Sequence, residues 1–211
     1  DMAVVRARGE LLREHLDDPD RQEGLQTMLD RVDHVVELTE TARDLAEVVS
    51  ADRSGKTERI DLAPLLREEV ETANGSHEDA AILIDGDLPD VAVQADDMLS
   101  SVVNNLLDNA VGHNDHARPE VTVGVDLRED DVAIHVADNG PGVPDAQKEA
   151  IFTQGEKGEE TGGTGLGLYL VETLVEQYGG RVSVADNDPR GAVFTVVLDR
   201  ADPREGEALF D

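Results

Sequence analysis

The chain has 211 residues, 48 of them acidic and 18 basic, for a formal charge of −30, and such a surface repels nucleic acid and anionic membranes. It has no cysteine, which excludes disulfides and thiol chemistry and fits a cytoplasmic location; no apolar run approaches the roughly 20 residues of a membrane span. Apolar residues make up 39% of the chain and recur in clear helix and strand periods, so the acidity marks a folded protein with a solvated surface, suited to a salty cytoplasm where counterions screen repulsion.

Residues 2–16 read as a helix with Val4, Val5, Leu11, Leu12 and Leu16 on one side. Asp17-Asp18-Pro19-Asp20 breaks it and caps the next helix. From Leu25, apolar or small residues recur at Met28, Val32, Val35, Thr39, Ala42, Ala46 and Val49, in alternating steps of three and four. That is the heptad pattern of a bundle helix. Two helices cannot bury such stripes alone, so the expectation is a homodimer closing a four-helix bundle. The alternative is a hairpin packed on its own globular domain. Residues 1–51 are thus read as a dimerisation hairpin, 52–59 as a linker, 60–200 as a second domain and 201–211 as a flexible tail.

The second domain reads as helix 62–73, strands near 80–85 and 91–94, helix 96–112, strands 120–128 and 131–138, and a short helix 144–151. A polar stretch without periodicity follows, then helix 166–178 and strands 181–186 and 191–199. Helices and strands in this order predict a two-layer α+β sandwich. Asp61 is placed as an N-cap, and Gly179-Gly180 as the stop of the last helix.

Three motifs stand out. Asn105 and Asn109, in NNLLDNAVGH, fall one turn apart on one face of the helix 96–112. Asparagine is a poor mid-helix residue, so two on a strongly apolar helix call for a reason. Asp138, Gly140 and Gly142 follow a strand in VADNGPGV, where an ordinary Asn-Gly turn is the competing reading. Gly163, Gly165 and Gly167, in GGTGLGL, open a helical pattern. No lysine follows these glycines as in a Walker loop, and no βαβ unit surrounds them as in a dinucleotide fold. No carboxylate and histidine grouping has the spacing of a zinc or calcium site.

In this order and spacing the three motifs resemble the ATP-binding domain shared by sensor histidine kinases, type II topoisomerases, mismatch-repair ATPases and heat-shock chaperones, and above all that of two-component histidine kinases. The resemblance runs from about Ile60 to Asp199, and the preceding helices fit it. It implies that Asn105 and Asn109 serve catalysis and bind ATP, with the amide oxygen of Asn109 on Mg²⁺, a hard cation that takes few protein ligands. Asp138 would read the adenine amino group, with Gly140, Gly142 and Val143 beside it. The glycine run, with Thr164, Leu166 and Leu168, would present N–H groups and the positive end of a helix to the phosphates. Phe152 would open a lid in which Lys157 is the one cation, a solvated surface lysine being the alternative for that residue.

The sequence departs from the family pattern at Gly112, where many members carry a phosphate-binding lysine; His113 beside it is placed near the nucleotide. The topoisomerase and chaperone branches have a glutamate at the position of Asn105, and an amide cannot accept the proton of an attacking water. Transfer of the γ-phosphoryl group is therefore expected over hydrolysis. None of the six histidines (15, 34, 77, 113, 116 and 135) stands where the family's acceptor does, so the expectation from the resemblance is that the phosphoacceptor lies just before Asp1 and that the chain is a fragment. The implied partners are a second copy and the receiver domain of a response regulator, with no nucleic acid, and with membrane contact only through upstream segments. The rival readings are a serine/threonine kinase of the anti-sigma-factor type and a non-catalytic ATP-binding dimeric scaffold.

Overall fold

The computed structural model describes residues 57–153 and 165–201 continuously, together with scattered positions between Arg8 and Ala46. The scattered positions are helical except Asp18; the rest of the hairpin, most of the linker, residues 154–164 and the tail lie outside the described residues.

From residue 57 on, the described residues form seven strands and three α-helices in chain order: β1 (Glu58–Asp61), α1 (Leu62–Ser76), β2 (Ala81–Ile84), β3 (Ala92–Ala95), α2 (Leu99–Gly112), β4 (Glu120–Leu127), β5 (Asp131–Asp138), α3 (Gly167–Gln177), β6 (Arg181–Asp186) and β7 (Ala192–Asp199). Five strands form one sheet in the order β2-β4-β5-β7-β6, and β1 pairs with β3 in a separate ribbon. β2 runs parallel to β4; every other pair is antiparallel. The helices lie against this sheet, which bears out the mixed α/β layering.

The core lies between the two layers. Val121 and Val123 of β4, Val132, Ile134 and Val136 of β5, and Phe194, Val196 and Leu198 of β7 meet Leu66 of α1, Val102, Leu106 and Leu107 of α2, and Leu170 and Leu174 of α3. Each fully buried Leu or Val side chain contributes about 1.5–3 kcal/mol relative to exposure. β5 is the central strand, and Asp138 stands at its C-terminal end.

Several boundaries differ from expectation for local reasons. α1 continues through Asn74-Gly75 to Ser76 because the Asn74 amide donates to Val70 O at 2.9 Å and to Ile82 O at 2.8 Å, and accepts from Ile82 N–H at 3.2 Å. One side chain thus occupies backbone groups of the edge strand β2, which would otherwise stay open to pairing. Asp61 occupies the N-cap position but makes no side-chain cap bond; its carboxylate lies 3.4 Å from Arg59 Nε. α2 starts at Leu99, after a turn in which Asp96 Oδ1 accepts from Met98 N–H at 3.0 Å. The predicted helix 144–151 is instead a series of turns ending in a 3₁₀ segment, Ala150–Phe152. Lys148 there is drawn sideways to Asp145 at 2.6 Å and Asp186 at 2.8 Å, and so short a run cannot repay helix nucleation by itself. The end of α3 is as expected: Gly179, with φ +76, and Gly180 donate to Glu176 O and Val175 O at 3.0 and 2.9 Å, a Schellman stop.

Candidate functional site

α2 forms one wall of the site. Asn104 faces α1, with its amide near the Glu69 carboxylate. Asn105 and Asn109 are half-buried on another face, toward α3. The Asn105 amide nitrogen donates to Ser101 O at 2.8 Å and that of Asn109 to Asn105 O at 2.6 Å. Both N–H₂ groups are thereby occupied by the helix itself, and the amide oxygens accept no hydrogen bond among the described residues. The Asn109 amide oxygen, with no hydrogen bond among the described residues, is a hard donor of the kind that suits a cation drawing its remaining ligands from phosphates and water.

The glycine run meets this face. A Cβ on Gly167 would lie 2.5 Å from Asn105 Oδ1 and 3.8 Å from Asn109 Nδ2, so only a glycine lets the start of α3 approach so closely. α3 begins with no side-chain cap, and the N–H groups of its first turn have no intrahelical acceptor. Such a terminus beside the Asn105 amide oxygen suits an anionic phosphate chain. Gly165, with φ +67, and the half-buried Leu166 and Leu168 belong to the same approach. Gly163, Thr164 and Lys157 lie outside the described residues.

Asp138 is the one buried polar or charged residue among the described residues, at 7% exposure. Its Oδ1 accepts from Gly140 N–H at 2.7 Å and from Ala192 N–H at 3.3 Å, while Oδ2 accepts no hydrogen bond among the described residues. The turn after Asp138 is tied to the end of α2: Asn114 Nδ2 donates to Asn139 Oδ1 at 2.8 Å, and Glu120 N–H donates to the same oxygen at 3.1 Å. α2 and the residues just after it therefore carry both halves of the site, Asn105 and Asn109 toward the glycine run and Asn114, two residues past the helix, toward the Asp138 turn. Gly142 has φ +78, and Val143 packs half-buried on the core.

Burial pushes the Asp138 carboxyl above its ordinary value, and the N–H groups of Gly140 and Ala192 offset part of this. A carboxyl raised on folding binds its proton more tightly in the native state. Its contribution to stability is therefore intact below the ordinary carboxylate value and lost as pH climbs through the raised one. Asp138→Asn keeps an acceptor oxygen and carries no charge. Nucleotide-free Asp138→Asn should melt above wild type at neutral pH, with the gap closing as pH falls into the range where Asp138 is protonated; calorimetry from acid to neutral pH would reveal a gap independent of pH if this account is wrong.

Phe152 and His113 are the remaining expected site residues among those described. Phe152 is 5% exposed and meets Phe194 edge-on, ring centroids 6.3 Å apart, so it belongs to the core. His113 is exposed at the C-terminal end of α2. Gly112 is exposed beside it, and a Cβ there would meet nothing within 4 Å, so sterics do not explain the missing side chain. The residues that sequence reasoning passed over are Asn114, Asn139, Asn187 and Gly191. Each stands in an Asn/Asp/Gly turn, and turn composition alone gave no sign of what the amides hold. Among the described residues no group of three His, Asp or Glu side chains could hold a metal, and no helix is long and apolar enough to cross a membrane.

Residues 94–202 match the family model described as histidine kinase-, DNA gyrase B-, and HSP90-like ATPase. The chain belongs to this family. Within it, the chain is similar to sensor histidine kinase DpiB of Escherichia coli K12, 37% identical over 111 residues that make up 50% of this chain and 20% of that protein. It is also similar to signal transduction histidine-protein kinase BaeS of the same organism, 30% identical over 205 residues, 90% of this chain and 42% of BaeS. The chain thus spans between a fifth and about two fifths of these relatives' length. Among solved structures, full-length ShkA in complex with AMPPNP superposes with a TM-score of 0.67 at 22% identity, covering 96% of this chain and 46% of ShkA; this likeness concerns the fold.

Proposed function

We propose that the chain is the dimerisation and ATP-binding core of a protein histidine kinase in a two-component system. The observation that carries this reading is the span of the BaeS match: 90% of the chain, more than the ATPase domain alone. That extent favours a histidine kinase over the other branches of the family. The AMPPNP in the ShkA structure supports an adenine nucleotide as ligand.

In this reading Asp138 Oδ2 accepts a hydrogen bond from the adenine amino group, and Asn105, Gly165 and Gly167 face the phosphates. Asn109 holds Mg²⁺ through its amide oxygen, and the metal when bound neutralises phosphate charge. No residue on this wall of α2 is a base. The arrangement suits transfer to an acceptor that is itself a nucleophile, such as an imidazole, because phosphoryl transfer depends mainly on positioning and charge neutralisation. The phosphoryl group then passes from histidine to an aspartate of a response-regulator receiver domain. Full-length protein incubated with γ-labelled ATP and Mg²⁺ should acquire acid-labile, base-stable label. Acid-stable label would point to a serine/threonine kinase, and nucleotide binding without transfer would point to a scaffold.

The hairpin serves as the dimer interface in the same reading. Met28 and Val35 are 68% and 49% exposed in the single chain, whereas Leu29, outside the heptad stripe, is buried. A second copy laid along the stripe would cover the exposed side chains. Val32→Glu together with Val35→Glu should dissociate the dimer, because unpartnered charges buried there would cost several kcal/mol in total, on the order of the penalty for any buried unpaired charge. Sedimentation of wild type and variant in concentrated salt checks this, and a wild-type monomer across micromolar concentrations would remove the bundle.

A further inference from the structure

We infer that the turn between β6 and β7 positions the Asp138 carboxylate for base recognition, with Asn187 as the positioning residue. This rests on the reading of Asp138 as the adenine contact.

The β5–β7 ladder ends with the pair Ala137 and Val193, so the main-chain oxygen of Asp138 lies past the last pair. Asn187 takes the place of a ladder partner: its Nδ2 donates to Asp138 O at 2.8 Å. The strut is itself braced, because Asn187 Oδ1 accepts from Asp188 N–H at 3.0 Å and Asn187 N–H donates to Gly191 O at 2.9 Å. Gly191, with φ +122, lies so close that a Cβ on it would stand 1.9 Å from Asp138 O. The next residue, Ala192, supplies the N–H on Asp138 Oδ1 at 3.3 Å.

One turn therefore grips Asp138 twice, at its backbone oxygen and at one carboxylate oxygen, and leaves Oδ2 as the oxygen for a ligand amine. Asn187 holds the main chain of Asp138 and not its carboxylate, so its influence on the ligand passes through Asp138. The outer end of the turn is fastened as well, by Arg190 to Asp115 at 2.6 Å and to His116 Nε2 at 3.2 Å. A carboxylate that must meet an amine within hydrogen-bond reach loses much of its selectivity when its backbone can shift, and base discrimination is where that loss would register.

The test measures affinities of the 211-residue chain for Mg²⁺-ATP and Mg²⁺-GTP by titration calorimetry. Asn187→Ala removes the donor; Asn187→Asp removes it while keeping the acceptor for Asp188 N–H, and is read alone if the alanine variant does not fold. Either should lower the preference for ATP over GTP by about fivefold to tenfold, the scale of one lost hydrogen bond. Asp138→Asn should lower it further, and adding Asn187→Ala to Asp138→Asn should change nothing more, since coupled residues are not additive. Equal losses for both nucleotides, or an Asn187→Ala effect that persists in the Asp138→Asn background, would overturn the positioning role and leave the adenine reading standing. An unchanged preference in Asp138→Asn alone would remove the adenine reading and this inference with it.

Discussion

Asn109→Ala should weaken Mg²⁺-ATP binding roughly a hundredfold, the upper end of what metal sites lose when their coordination is disturbed, and metal-free ATP only a few-fold. The asymmetry follows from the geometry. The Asn109 N–H₂ group donates to Asn105 O at 2.6 Å while its oxygen accepts no hydrogen bond among the described residues, and an oxygen matters to a cation far more than to a phosphate. No carboxylate cluster among the described residues could replace it as a ligand. Titrating wild type and variant with ATP, in Mg²⁺ and in chelator, gives four affinities. Equal losses with and without metal would show that Asn109 does not hold Mg²⁺.

Asp138→Asn should cost Mg²⁺-ATP roughly 1.5–3 kcal/mol, the worth of a hydrogen bond to a charged group, and should erase most of the preference for adenine over guanine. The substitution keeps an oxygen for the N–H groups of Gly140 and Ala192 and replaces the outward oxygen with an N–H₂ that cannot accept from an amine. The same variant is expected to stabilise the empty protein at neutral pH, because it removes a buried charge whose carboxyl is pushed up by desolvation. Weaker adenine binding combined with a higher melting temperature would mark Asp138 as a residue kept for ligand recognition at the expense of stability. Unchanged base discrimination would show that adenine is read elsewhere.

Most elements were legible because their signals are local. α2 shows its apolar face in Leu99, Val102, Val103, Leu106, Leu107 and Ala110, all buried, and β5 and β7 show theirs over eight residues each. β1 was not legible: four residues, ERID, are too few to establish an alternation, and the strand exists because β3 pairs with it. The helix expected over 144–151 is instead a run of turns ending in a 3₁₀ segment: its composition allowed a helix, but so short a run does not repay helix nucleation by itself.

The sequence by itself determined the kind and order of most elements and the three motifs of the site. A helical face, a strand end and a glycine-rich helix start are each written within a few neighbouring residues. Only the tertiary structure decided how those motifs meet. It set Asn105 Oδ1 where a Cβ of Gly167 would stand, tied Asn114 to Asn139 across the mouth of the site, and braced Asp138 with Asn187 and Ala192, which lie 49 and 54 residues further along the chain. The physical reason is that periodicity and turn chemistry act over a few residues. A hydrogen bond between distant segments leaves no trace in either one until packing of the sheet against the helices has brought them together.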